Sequence, residues 1–373
     1  MSFRTKDNNQ LDNSNERQFS ASSTASAQWR SVMLVGVCLF LPFLMGEVEG
    51  QNASSIPAAP SVSVAPQTAP TEATPQSNGA TMEKHPDDQQ AGDDQGAGFV
   101  FKTQVREVIL NATVVDEQRR LVTDLDRPAF TAFENGVPQP TTSFHREDVP
   151  VAMGIIIDNS GSMREKRDQV NRAVLNLIRA SNPNDETFVV NFSQDSFLDQ
   201  DFTSDTGLLE KALQKVSSQG STALYDAIVA SAVHVTNNTR MERKVLLLIT
   251  DGRDNASQET LQEAMRRLQQ ENGTTLYAIG LLGDELQRSD TGALQSLADA
   301  TGGVAFFPKH LDEVSDITRV VARDIHSQYT IGYKPTDHRN SGYRAIEVRA
   351  QAPGHRKLTV RTRTGYYAGE SVH

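Results

Sequence analysis

Cysteine is almost absent from this sequence: Cys38 is the only one in 373 residues, so no intrachain disulfide can form. Eight scattered histidines do not help to build a metal motif, because neither Cys-x-x-Cys nor His-Glu-x-x-His occurs, and that speaks against zinc. Positive charge is in deficit too. Lys and Arg number 36 against 47 Asp and Glu, a formal net charge of −11, whereas a nucleic-acid binder would need a basic face. The plain consequence of that acidity is solubility. Apolar residues make up 37% of the chain and the mean hydropathy is −0.46, so part of the chain has too little apolar surface to join a core. Walker-type phosphate loops and dinucleotide-binding glycine fingerprints are missing as well.

The apolar deficit is concentrated in the N-terminal third. Residues 1–50 comprise a polar tail and an apolar run, Val32 to Met45, preceded by Arg30 and followed by Glu47 and Glu49. At about 14 residues this run is short for a membrane helix and suits the core of a signal peptide. The long polar stretch before it resembles a cytoplasmic tail, and Arg4, Lys6, Arg17 and Arg30 favour keeping the N-terminus inside. A late-starting signal peptide and a signal anchor both stand. Either sends the rest of the chain across the membrane, so the expectation is an exported protein. It would be held in the envelope through the segment near 32–46, or released as a secreted or periplasmic protein. Cys38 follows Val37 inside the apolar run and reads as an ordinary apolar position rather than a lipid anchor. Residues 51–98, rich in Ala, Pro, Ser, Thr, Gln and Asp, read as a flexible linker. Its acidic pairs, Asp87-Asp88 and Asp93-Asp94, lack the ligand spacing of a calcium loop.

Two β-rich flanks surround an α/β centre. In the N-terminal flank, 99–148, Val105 to Val115 has strand-like density of Val, Ile and Thr, Asp116-Glu117-Gln118 makes a turn, and Asn135-Gly136 marks a hairpin. In the C-terminal flank, 329–373, Ala345 to Ala350 and Leu358 to Arg361 alternate apolar and polar residues around a Pro353-Gly354 turn. Each flank is too small to fold comfortably alone, so the two are expected to pack together as one small β domain with the centre inserted between them. The centre, 149–328, alternates strand and helix patterns: strands at 151–157, 187–192, 244–250, 275–282 and 304–307, and helices at 165–180, 222–235, 257–270 and 311–326. That order predicts a doubly wound, mostly parallel sheet covered by helices. The last helix places Val314, Ile317, Val321 and Ile325 on one face and leads straight to Tyr329.

Ligands of such sheets sit at the carboxyl ends of the strands. There the first strand is followed by Asp158-Asn159-Ser160-Gly161-Ser162-Met163, a helix is entered through Gly220-Ser221-Thr222, and another buried strand ends in Thr250-Asp251-Gly252. Oxygen-bearing side chains of this kind suit a hard divalent cation. The Asp-x-Ser-x-Ser loop, the loop threonine and the Thr-Asp-Gly strand end, in that order, resemble the von Willebrand factor A (VWA) domain and its metal-ion-dependent adhesion site. The flanks, through Phe133-Glu134-Asn135-Gly136 and Arg363-Thr364-Gly365-Tyr366-Tyr367, are similar to VWA-related proteins described from Acidobacteria. The resemblance implies a Rossmann-like VWA fold. It also implies a metal held by Asp158, Ser160, Ser162, Thr222 and Asp251, with the hydroxyls in direct contact and the aspartates acting mostly through water. The ion implied is Mg2+, with Mn2+ or Ca2+ as alternatives. A protein partner's carboxylate would complete the shell, because neutral hydroxyls leave much of the cation's charge uncompensated. Adhesion, envelope assembly and signalling all reuse such a module.

Other chemistries stand beside this one. A purely structural surface module would use the metal to stabilise loops. A dehalogenase-like phosphatase wants a second carboxylate where Ser160 stands. A serine hydrolase wants a Gly-x-Ser-x-Gly elbow and a placed histidine, yet residue 158 is Asp and His234 falls in a helical stretch. The expectation is therefore a binding module, not an enzyme, with a metal-dependent hydrolase as the last alternative.

Overall fold

The computed structural model describes residues 107–214, 219–281, 288–337 and 341–369, which belong to one compact unit. The apolar segment near 32–46 and the linker 51–98 lie outside the described residues.

The N-terminal flank supplies β1 (Val108–Val115), β2 (Phe130–Glu134), β3 (Val137–Gln139) and β4 (Thr141–His145). The centre follows with β5 (Val151–Asp158), α1 (Arg167–Ala180), β6 (Glu186–Phe192), β7 (Ser196–Thr203), α2 (Thr206–Gln214), α3 (Leu224–Asn238) and β8 (Arg243–Thr250). It continues through α4 (Leu261–Leu268), β9 (Thr275–Gly280), α5 (Arg288–Thr301), β10 (Ala305–Phe306) and α6 (Glu313–His326). The C-terminal flank adds β11 (Tyr329–Tyr333), β12 (Gly342–Ala350), β13 (Thr359–Arg361) and β14 (Gly365–Ala368).

The central six-stranded sheet has the order β10-β9-β8-β5-β6-β7. All its pairings are parallel except β6 with the edge strand β7, which is antiparallel. Every residue of β5 is buried, because helices cover both faces. Met153, Ile155 and Ile157 meet α1, α2 and α6 on one side, while Ala152 and Ile156 meet α3, α4 and α5 on the other. Fully buried Val170, Val174 and Leu177 pin α1 to the sheet, each worth about 1.5–3 kcal/mol of apolar burial. Gly154 interrupts the β5 run for a steric reason: a Cβ there would lie 2.2 Å from Cζ of Phe188.

The flanks interleave rather than stack as separate halves. One four-stranded sheet is β13-β1-β11-β4 and the other is β14-β12-β2-β3, so each draws strands from both ends of the chain. Their inner faces share a core that includes Leu110, Phe130, Ile331, Val348 and Tyr366. In β12, Arg344, Ile346, Val348 and Ala350 point inward while Glu347 and Arg349 point out, the period-two pattern seen in its sequence. Asn135 and Gly136 both take positive φ, 51° and 78°, as a two-residue hairpin turn requires. Glu134, 2% exposed, accepts from Tyr333 Oη (2.6 Å), Tyr366 Oη (2.9 Å) and Arg344 Nη1 (2.7 Å), which satisfies a buried carboxylate from three strands.

Three elements go beyond the sequence expectation: β7, α2 and α5. β7 is intermediate in exposure along most of its length, so it carries no clean alternation. The expected helices at 222–235 and 257–270 also start later, at Leu224 and Leu261. In the second case Asp226 holds the backbone N–H groups of Gln258 (3.0 Å) and Glu259 (2.8 Å), keeping that stretch as loop. A capping box between Thr260 and Glu263 then opens α4. The expected strand 275–282 ends at Gly280, and position 282 lies outside the described residues.

The chain enters and leaves the central domain at one place. His326, the last residue of α6, is 2.7 Å through Nδ1 from Asp148 Oδ1, just before β5, and 3.2 Å through Nε2 from Asp185 Oδ2. Asp185 Oδ1 in turn accepts from Val151 N at 2.9 Å. Two residues earlier in α6, Asp324 accepts from Arg361 of β13 and from Tyr277 of β9, both at 2.7 Å.

Candidate metal centre

The site is built where β5 and β8 run out. Asn159 N donates to Phe192 O at 2.6 Å and Gln219 N to Asn159 O at 3.0 Å, so the loop after β5 is stitched to its neighbours on that rim. Ser160 N donates to Asp158 Oδ1 at 2.8 Å, which bends the chain into a short 3-10 turn, Gly161–Met163. Met163 is fully buried and anchors the turn from below. The hydroxyls of Ser160 and Ser162 are 3.2 Å apart, and Ser162 Oγ donates to Asp251 Oδ1 at 2.8 Å. The other oxygen of Asp251 is ion-paired with Lys166 Nζ.

Thr222 is held by its backbone. Its N–H donates to Asn255 Oδ1 at 2.8 Å and its carbonyl accepts from Asn255 N at 3.0 Å. Asp254 Oδ1 accepts from Leu224 N at 2.8 Å, satisfying the start of α3. Thr222 is only 4% exposed, and its hydroxyl lies beside Gly252 at the rim. Gly252 explains where that hydroxyl points: a Cβ at position 252 would sit 3.2 Å from Thr222 Oγ1 and 3.7 Å from Asp158 Oδ2. The missing side chain leaves a small oxygen-lined cradle between these two groups.

The structure thus gathers Asp158, Ser160, Ser162, Thr222 and Asp251, from three separated stretches, onto one rim of the sheet. Asp158, Ser160, Thr222 and Asp251 are buried and Ser162 is partly exposed. Burial holds the Asp158 carboxyl above the usual carboxylate range; hydrogen bonds from Thr250 and Ser160 pull the other way, and Asp251 nearby adds to the rise. Behind it, Arg167 reaches Asp158 O (3.4 Å) and the side chain of Asn191. Burial lowers the Arg167 pKa to about 10, against the pull of Asp158 and Asp199.

The donor set fits a hard divalent cation. It is all oxygen, it mixes neutral hydroxyls with carboxylates, and it includes the Thr222 hydroxyl beside a gap that a methyl group at position 252 would fill. Among the described residues no cluster of three or more His, Cys, Asp or Glu offers a rival metal site. A depression of about 430 Å3, bordered by Asn159, Asn191, Gln194, Phe197 and Gln219, adjoins this rim.

Sequence reasoning did not single out Thr250, Lys166, Arg167 or Asn255. Thr250 stands inside the Thr-Asp-Gly motif, and Asn255 follows it in a loop rich in turn formers. Nothing local marks Lys166 or Arg167 as turned inward. His234 stands apart from the serines. Its Nε2 is 2.9 Å from Asp201 Oδ1 and its ring packs on Phe188 and Phe202, while Ser160 Oγ faces Ser162.

With this geometry in hand, residues 153–320 match the family described as von Willebrand factor type A domain, and the chain carries a domain of that family. Solved structures that it resembles include proximal thread matrix protein 1 from the mussel byssus, at 18% identity over 47% of this chain and 48% of that one, with a TM-score of 0.41. Another is a von Willebrand factor type A protein from Catenulispora acidiphila, at 14% identity over 71% and 75%, with a TM-score of 0.42. A third is an aerotolerance-related membrane protein from Bacteroides fragilis, at 18% identity over 47% and 98%, with a TM-score of 0.39. The mussel protein has also been solved with a zinc-occupied MIDAS motif. The chain spans about half the length of the mussel protein. No curated protein sequence matches this chain.

Proposed function

We propose that the VWA domain binds a divalent cation at the β5–β8 rim and uses it to capture an acidic protein partner. Ser160, Ser162 and Thr222 would hold the ion through hydroxyl oxygens, with Asp158 and Asp251 supplying negative charge behind them. Mg2+ suits this set best, and Mn2+ or Ca2+ would be accepted by the same oxygens. A cation bound there supplies a coordination position for a carboxylate of the partner. The protein's own groups do the rest: Thr250 orients Asp158, Asn255 fixes Thr222, and Met163 locks the serine loop. In this reading the domain works outside the cytoplasm in adhesion, envelope assembly or signalling, exported through the segment near 32–46.

The observation that carries the reading is the convergence of Thr222 and Asp158, from separate loops, on the cradle at Gly252. The test is capture of envelope proteins with Mg2+ and with EDTA, comparing wild type with Asp158→Ala. Metal-dependent capture, lost in the variant, is expected. Capture indifferent to both would end the proposal, and turnover of ester or phosphate substrates abolished by Ser160→Ala would replace it with a hydrolase.

A further inference from the structure

Lys166 occupies an unusual place. It is the N-cap residue of α1, where the helix presents its positive end and where a cation is disfavoured. Its neighbours Arg164 and Glu165 are exposed, yet Lys166 turns inward and only 24% of its side chain remains exposed. Its ammonium is ion-paired with Asp251 Oδ2, and the Asp251 side chain is fully buried. The other oxygen of that carboxylate takes the Ser162 hydroxyl, and Ser162 in turn faces Ser160. The ammonium therefore neutralises a carboxylate of the same oxygen cluster that would hold the cation. A buried carboxylate demands such compensation.

We propose that Lys166 is a tethered cation that competes with the divalent metal for Asp251 and so sets the metal affinity of the site. The inference rests on the metal reading above. Two positive charges cannot share the buried carboxylate without strong repulsion, so the ammonium swings out when the metal enters. The flexible four-carbon stem and the partial exposure of Lys166 give it a route to solvent. The exchange makes the site weak in the absence of a partner. A carboxylate that caps the metal can then also meet the displaced ammonium, so partner and metal would bind together more readily than either alone.

Titration calorimetry with Mg2+ on the full chain separates the possibilities, with wild type, Lys166→Gln, Lys166→Ala and Lys166→Arg compared at constant ionic strength. Removing the charge in Lys166→Gln or Lys166→Ala is expected to tighten Mg2+ binding about tenfold or more. Lys166→Arg, which keeps the charge, stays near wild type. Binding by the neutral variants alone would support the same conclusion in its strongest form. Neutral variants that bind Mg2+ as wild type does, or more weakly, would overturn the inference and leave the metal site standing. No Mg2+ binding by any of the proteins would remove the site and the inference together. Lys166→Ala leaves no new side chain to strain the turn, so it decides the matter if Lys166→Gln does not fold.

Discussion

The Thr250 hydroxyl donates a 2.6 Å hydrogen bond to Oδ2 of Asp158, tying the ends of two adjacent parallel strands across 92 positions of sequence. Thr250 Oγ1 itself accepts from Gly252 N at 3.1 Å, so Thr250 joins the Asp158 carboxylate to the loop that bears Asp251. Thr250→Val would keep the shape and remove the donor to a buried carboxylate. Chemical denaturation is expected to show a loss of about 1–3 kcal/mol, and Mg2+ affinity should fall with it.

Metal removal gives a second prediction. A ligand that binds only the folded state stabilises it by mass action, by about 2.7 kcal/mol at a hundredfold excess over Kd. Thermal unfolding in saturating Mg2+ should therefore occur at a higher temperature than in EDTA. Asp158→Ala should abolish the difference between the two conditions.

The β domain makes a third. Glu134 accepts hydrogen bonds from Arg344, Tyr333 and Tyr366, and both side chains of the Glu134–Arg344 ion pair are under 10% exposed. Glu134→Ala would take their shared acceptor from a buried guanidinium and two phenols, at an expected cost of about 3–5 kcal/mol in denaturant unfolding. Glu134→Leu combined with Arg344→Met should recover part of that loss, because no uncompensated charge remains.

The fourth concerns pH. Burial opposes protonation of His326, but Asp185 and Asp148 outweigh it and hold the imidazole above its ordinary pKa. Asn182 donates to Asp148 on the same side, and Arg319 and Arg323 border the recess. A group whose pKa is raised on folding stabilises most when protonated in both states. Its contribution is thus fully present below the unfolded imidazole value and is lost as pH rises through the folded one. The stability gap between wild type and His326→Gln should be wider at about pH 5.5 than at about pH 8.5. A gap that does not change with pH would show that the His326 clasp does not depend on charge.

Sequence alone determined a good deal here, because the signals concerned are local. Continuous apolar runs at 151–157 and 244–250 read as strands buried on both faces, and they are. The Asn135-Gly136 turn and the alternation of β12 follow from backbone sterics and pleat geometry at the residues themselves. Asp158, Ser160, Ser162, Thr222 and Asp251 could be placed on one edge because strand ends in a parallel sheet share a rim, while their role as a metal set is what the resemblance to the VWA domain implies. Other features belong to the tertiary structure. β7 shows no alternation because it is half-covered, and α4 starts late because Asp226 of α3 claims the amides of Gln258 and Glu259 ahead of it. The interleaving of the flanks, the Lys166–Asp251 pair and the His326 clasp each join residues far apart in the chain. No local periodicity records which distant partner a charge will meet; only the packing of the whole molecule decides that.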